Sequence, residues 1–279
     1  MNTGIPVRLI KEKSKALKIP YDTLLLAAAR EYIVAHIFAN NEGLYLKRHH
    51  TFGLDNYSRR MDGEIYLSMV IDVLDEDAVK DIISKITDED IKVFNIEDSS
   101  YRLHVTVSFD KINIPVPIII TKGNDDKGTG KIKTLKLLYE NDEYVDVPCY
   151  SKERELAEMF ANFSKTMELT QDMALLESMY VYGTRNNLDG RLLGSAIENM
   201  AEEGLISIDR ENVKHTLSAL LNKDMASRYD RYLKGHMKKG PSYEEVRDVM
   251  LKLYHPVLDS LLKGQVFFGD WIKDVRRYL

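Results

Sequence analysis

Residues 101–110, YRLHVTVSFD, alternate without a break. Leu103, Val105, Val107 and Phe109 fall on one side, and Arg102, His104, Thr106 and Ser108 on the other. Successive side chains of a strand point to opposite faces, so this pattern requires a sheet with one apolar face and one polar face. Helices are needed to cover the apolar face. The N-terminal region supplies helical spacing in Val7, Ile10 and Leu17, then in Leu25, Ala28, Tyr32 and Ala35. Pro20 separates the two runs, and Asp22 is the expected N-cap of the second.

Other segments extend the sheet. GLYLK and GEIYLSMVIDV read as strands on either side of a polar turn. DEDAVKDIISKI reads as a helix, with Asp75, Glu76 and Asp77 at its positive end. INIPVPIIIT is extended, and its two prolines push it towards a sheet edge or the end of a strand. IKTLKLL and YVDVPCY complete the strands. From Ser151, the expected cap of KERELAEMFANF, the chain reads as helical, with helices near 169–183, 188–203, 211–237 and 243–263. Pro256 predicts a kink or split in the last of these. The expected fold class is α+β, of the α/β type: a mixed sheet flanked by helices in 1–150, then a helical domain in 151–279.

The chain has 279 residues and a formal net charge of −5, which argues against bulk electrostatic binding of nucleic acid. Its one cysteine, Cys149, excludes an internal disulfide and fits a reducing cytoplasm. No apolar run approaches the roughly 20 residues that span a bilayer, and no secretory h-region is visible, so no membrane partner is expected.

Chemistry concentrates between residues 44 and 67, LYLKRHHTFGLDNYSRRMDGEIYL. Asp62 and Glu64, two apart at a strand start, share a side and are the candidate catalytic and metal ligands. Lys47, Arg48, Thr51, Arg59 and Arg60 are candidate phosphate ligands. An acid-x-acid triplet is very common, however, and on spacing alone an ordinary solvated strand start accounts for it more often than a metal site does. His49 and His50 could share a metal ion only from a turn, since adjacent residues on a strand point apart; they read more readily as surface histidines, as does His104. TKGNDDKGTGK fails as a phosphate loop, because Asp125 stands where the first glycine belongs and Ile132 follows Lys131. SRYDRYLKGHMKKG, with Tyr229 and Tyr232 among the charges, reads as an RNA contact or a solvated helix face. VFFGDWI reads as packed core.

The order of these segments resembles the AbiEii toxin family of nucleotidyltransferases, found in bacterial abortive-infection and toxin–antitoxin systems. The leading helices with Arg30-Glu31-Tyr32, the LYLK strand, RRMDGEIYL, INIPVPIIIT and YSKERELAEMFANF carry the resemblance, over about residues 5–185. It implies a nucleotidyltransferase-like sheet and transfer of a nucleotide from an NTP to an RNA, such as a tRNA, or to a protein. It also implies Mg2+ or Mn2+ at Asp62 and Glu64, support from Asp172, and a cognate antitoxin as partner.

The departures are specific. The family's Gly-Gly turn falls on Arg48-His49 or His49-His50, its third carboxylate near Ile119, its helical Lys on Met159, and its later Lys-Asp on Gln171-Asp172. Two-metal transfer normally uses three carboxylates. The expectation is therefore a nucleotidyltransferase with activity weakened or lost. The alternative is an inactive relative that binds nucleotide, RNA or protein, or one that keeps only the fold.

Overall fold

A computed structural model describes residues 1–52, 63–89, 91–97, 99–123, 130–138, 144–166, 173–236 and 240–279, with the side chains of residues 50, 97, 166, 235 and 236 left undescribed. The chain divides into two compact units, Met1–Tyr150 and Ser151–Leu279.

The first unit opens with α1 (Val7–Leu17) and α2 (Tyr21–Asn40). The N-cap residue of α1 is Pro6, which has no capping side chain, and Asp110 Oδ2 accepts from the Val7 N–H instead (2.8 Å). Pro20, not Asp22, takes the N-cap position of α2. Asp22 lies in the first turn, where its charge still suits the positive helix end. The strands are β1 (Leu44–Lys47), β2 (Ile65–Val70), β3 (Val93–Glu97), β4 (Ser100–Phe109), β5 (Ile112–Gly123), β6 (Gly130–Lys136) and β7 (Tyr144–Tyr150). Helix α3 (Glu76–Ser84) follows β2, with Asp75 capping it through Ala78 N–H.

These strands form one mixed sheet in the order β3-β4-β5-β2-β1-β7-β6. β2–β5 and β1–β7 are parallel, and the other pairs antiparallel. β4 obeys its alternation: Leu103, Val105, Val107 and Phe109 are fully buried, in one core with Leu24, Ala28 and Ile33 of α2 and Leu46, Leu67, Ile118 and Ile120 of the sheet. Each of the Leu, Val, Ile and Phe side chains buried here stabilises the fold by about 1.5–3 kcal/mol. The opposite row carries Tyr45, Lys47, Tyr66, Ser68, Arg102, Ile119 and Thr121, as the pairing register requires.

INIPVPIIIT is not an edge strand, because β5 lies between β4 and β2. The register explains why its prolines are tolerated. β2 accompanies β5 only from Ile118 onward, whereas Pro115 and Pro117 lie before that point, with β4 as their one described neighbour.

The second unit holds α4 (Lys152–Thr166), α5 (Met173–Arg185), α6 (Gly190–Glu202), α7 (Arg210–Ala219), α8 (Lys223–His236) and α9 (Tyr243–Leu262). A small sheet adds β8 (Leu188–Asp189), β9 (Asp270–Ile272) and β10 (Arg277–Tyr278) in the order β10-β9-β8. Ser151 Oγ accepts from Arg154 N–H, as expected for the cap of α4. The single helix expected over 211–237 is two, α7 and α8, with Asn222 Oδ1 accepting from Asp224 N–H at the break. α9 runs continuously through Pro256 and starts with a capping box of Ser242 and Glu245. Its core joins Leu156, Phe160, Leu176, Ile197, Leu253 and Val257. Trp271 of VFFGDWI is fully buried there, and its indole N–H donates to Gly183 O (2.6 Å). Phe268 of the same stretch is 75% exposed, so only part of it is core.

Candidate functional site

The candidate site is built on the turn after β1 and on the start of β2. β1 delivers Lys47 opposite Tyr66. Arg48 then adopts φ 51°, ψ 37°, a left-handed conformation that favours glycine. The chain closes one 3-10 turn over His49–Thr51. The backbone thus makes a glycine-type bend at an arginine, within the Arg48–His50 stretch where the resemblance placed a Gly-Gly turn.

Two buried or half-buried cations hold this turn. Arg30, on α2 and 1% exposed, donates to Thr51 Oγ1 (2.8 Å) and to Glu64 O (3.1 Å), and stacks over the Phe52 ring. Lys133 on β6 donates to His49 O (2.6 Å) and Phe52 O (3.3 Å). Thr51 Oγ1 also donates to Arg48 O (2.9 Å), so its hydroxyl braces the bend. Arg30 therefore ties the turn to Glu64, the described carboxylate of the acidic segment.

Glu64 lies just before β2. Its Oε1 accepts from Arg102 Nη2 of β4, and its Oε2 from the Tyr66 hydroxyl. Arg48 stacks on the other partner, with its guanidinium carbon 3.7 Å from the Tyr66 ring centre. The result is a chain of contacts, Arg48–Tyr66–Glu64–Arg102, along the polar face. Beside it, Lys47 lies over the Tyr150 ring, and the Tyr150 hydroxyl donates to Ser68 Oγ (2.6 Å). Gly123 leaves room for that pair, since a Cβ there would lie 2.4 Å from Ser68 Oγ.

Of the residues singled out in the sequence, Lys47, Arg48 and Glu64 meet on this face, and Thr51 supports it from the turn. Ile119, at the position expected for a third carboxylate, pairs with Tyr66 on one side and Arg102 on the other. Asp62, Arg59, Arg60 and Asp172 lie outside the described residues, as do Gln171 and most of the TKGNDDKGTGK loop. Met159, the other departure from the family pattern, is buried in the core of the second unit. Tyr229 is fully buried and the Tyr232 hydroxyl donates to Glu177 (2.8 Å), so these tyrosines pack inward and are not stacking platforms for bases.

Sequence reasoning missed Arg102, Tyr66, Arg30 and Lys133. The signal for two of them was present. Arg102 stands on the polar side of the alternating strand, and Tyr66 is two residues beyond Glu64. Arg30 and Lys133 act on backbone carbonyls and a hydroxyl far away in sequence, which no local spacing encodes.

The Mg2+ or Mn2+ implied by the resemblance does not fit Glu64 as it stands. Both carboxylate oxygens are engaged, one of them by a cation. Among the described residues no three His, Cys, Asp or Glu side chains converge to hold a metal ion. No described helix is long and apolar enough to cross a membrane.

No protein-family profile and no curated protein matches the chain. Two solved Helicobacter pylori structures resemble it in outline. The protein JHP933 overlays with a TM-score of 0.46 at 12% identity, covering 88% of this chain and 96% of its own. A candidate nucleotidyltransferase from H. pylori overlays with a TM-score of 0.46 at 11% identity, covering 89% of this chain and all of its own.

Proposed function

We propose that this chain is a nucleotidyltransferase-type protein that binds a nucleoside triphosphate on the polar sheet face around Glu64, with transfer onto an RNA or protein acceptor weakened. One observation carries the reading: a glycine-type bend at Arg48 is fastened, through Arg30, to the acidic start of β2, on a face lined by Lys47, Arg48 and Arg102. A tight bend beside an acidic strand start is the layout that nucleotidyl transfer needs. Phosphates approach the bend, and the acids face the reacting end. Weakening follows from the occupied carboxylate of Glu64, from Ile119 in place of an acid, and from an arginine side chain where close backbone approach is required. A second reading, a nucleotide-, RNA- or protein-binding module without chemistry, is favoured by the same Arg102–Glu64 pair.

The test is incubation of the full chain with each labelled NTP, Mg2+ or Mn2+, and total tRNA. Slow label transfer that disappears in Asp62→Asn supports the transferase. No transfer, together with NTP-dependent heat stabilisation, selects the binding module. Neither effect overturns both. A cognate antitoxin and a cytoplasmic setting belong to the same proposal, and co-purification with a partner encoded alongside is the check.

A further inference from the structure

We infer that Arg102 is a built-in cation that takes the electrostatic role of a divalent metal, so that this face binds the phosphates of a nucleoside triphosphate without one. The inference rests on the nucleotide-binding reading above and deepens it.

The geometry is that of three adjacent strands. Arg102 on β4, Ile119 on β5 and Tyr66 on β2 stand side by side in register. Neighbouring strands are about 4.8 Å apart, so Arg102 and Tyr66 are separated by roughly 10 Å of sheet. An arginine side chain covers most of that span, and Arg102 crosses Ile119 to reach Glu64. An acid at position 119 would intercept it, whereas an isoleucine lets it pass. The guanidinium therefore sits directly against Glu64, the described carboxylate of the acidic pair.

Its remaining capacity points to a ligand. Only Nη2 bonds Glu64; Nη1 makes no hydrogen bond among the described residues, and Nε is buried without one. The side chain is 42% exposed, so an anion has access to it. A guanidinium offers five N–H donors in a planar fork, which suits phosphate oxygens. Lys47 and Arg48 stand on the same face as Arg102.

The experiment is calorimetric titration of the full chain with each of ATP, GTP, CTP and UTP, first in EDTA and then in Mg2+. Binding in EDTA is expected, little changed by Mg2+. Arg102→Gln weakens binding in EDTA by about tenfold or more, the usual scale for losing a charged donor to phosphate. Arg102→Lys retains part of it, keeping the charge without the fork. Glu64→Gln is expected to tighten EDTA binding, because it removes the anion that competes for the Arg102 guanidinium, whereas a metal-held ligand would be lost. Circular dichroism and a thermal melt accompany each variant. If Arg102→Gln fails to fold, Glu64→Gln decides alone. Wild-type binding that requires Mg2+, or is abolished by Glu64→Gln, overturns the inference and leaves the nucleotide-binding reading standing. No binding in either buffer overturns both.

Discussion

At Arg48 the backbone conformation and the side chain pull in opposite directions. A left-handed bend costs a residue bearing a Cβ about 1–2 kcal/mol. Stacking of the guanidinium on Tyr66 returns about 0.5–1 kcal/mol of that. Arg48→Gly removes both terms, so its urea midpoint is expected to lie close to that of the wild type. Arg48→Ala keeps the strained bend and loses the stack, and is expected to be less stable by roughly 1 kcal/mol. Equal losses in the two variants would mean that the bend carries no strain. Arg48→Gly also reopens the turn to close approach by phosphate, so an increase in label transfer in this variant would identify the arginine as the obstruction.

At the scale of elements, the start of α6 is the least forgiving point. Asp189 caps the helix through the N–H groups of Arg191 and Leu192. Gly190 follows, donating its own N–H to Gly269 O (3.0 Å). A Cβ on Gly190 would lie 2.2 Å from that carbonyl and 2.7 Å from the Phe267 ring. Gly190→Ala is therefore expected to cost about 2–3 kcal/mol through overpacking. Gly194→Ala, in the same helix, places its Cβ 3.5 Å from Val257 and is expected to be neutral or stabilising by up to about 1 kcal/mol. Denaturant melts of the pair separate crowding from helix propensity. How far elements could be read from the sequence depends on where their apolar residues face. β4 was plain because its apolar residues all point into the core. β3 was invisible because Phe94 and Ile96 are exposed on an edge strand, so no buried row marks it. Of the two places the prolines of β5 allowed, a sheet edge or a strand end, the structure takes the second, because only the first stretch of β5, where they lie, lacks β2 beside it. In the site, the bend and Glu64 were legible as local pattern. The Arg102 pairing was not, because it depends on which strands become neighbours.

For the molecule as a whole, buried phenols set the alkaline limit. Burial pushes the Tyr243 hydroxyl, which donates to Leu220 O, up to about 12. Burial also raises Tyr254 and Tyr278. Unfolded tyrosines ionise near pH 10. Above that value the unfolded chain releases protons that the folded chain retains, so stability falls as pH rises, for Tyr243 until about pH 12. The slope is about 1.4 kcal/mol per pH unit for each such tyrosine. Melting temperatures followed from neutral pH to about pH 11 should stay level and then drop. Tyr243→Phe should flatten the drop while lowering the neutral-pH value slightly, because Leu220 O loses its donor. All three phenols lie in Ser151–Leu279, which is therefore the unit expected to give way first in alkali.

The lone cysteine and the lone tryptophan sit in different cores: Cys149 is 2% exposed in β7 of the first unit, and Trp271 is fully buried in the second. The native chain thus carries one intrinsic reporter per unit, with no labelling mutation required. Thiol alkylation can proceed only when the sheet opens, and indole emission shifts only when the helical core does. Followed together in one denaturation, the two signals read the cooperativity between the halves directly.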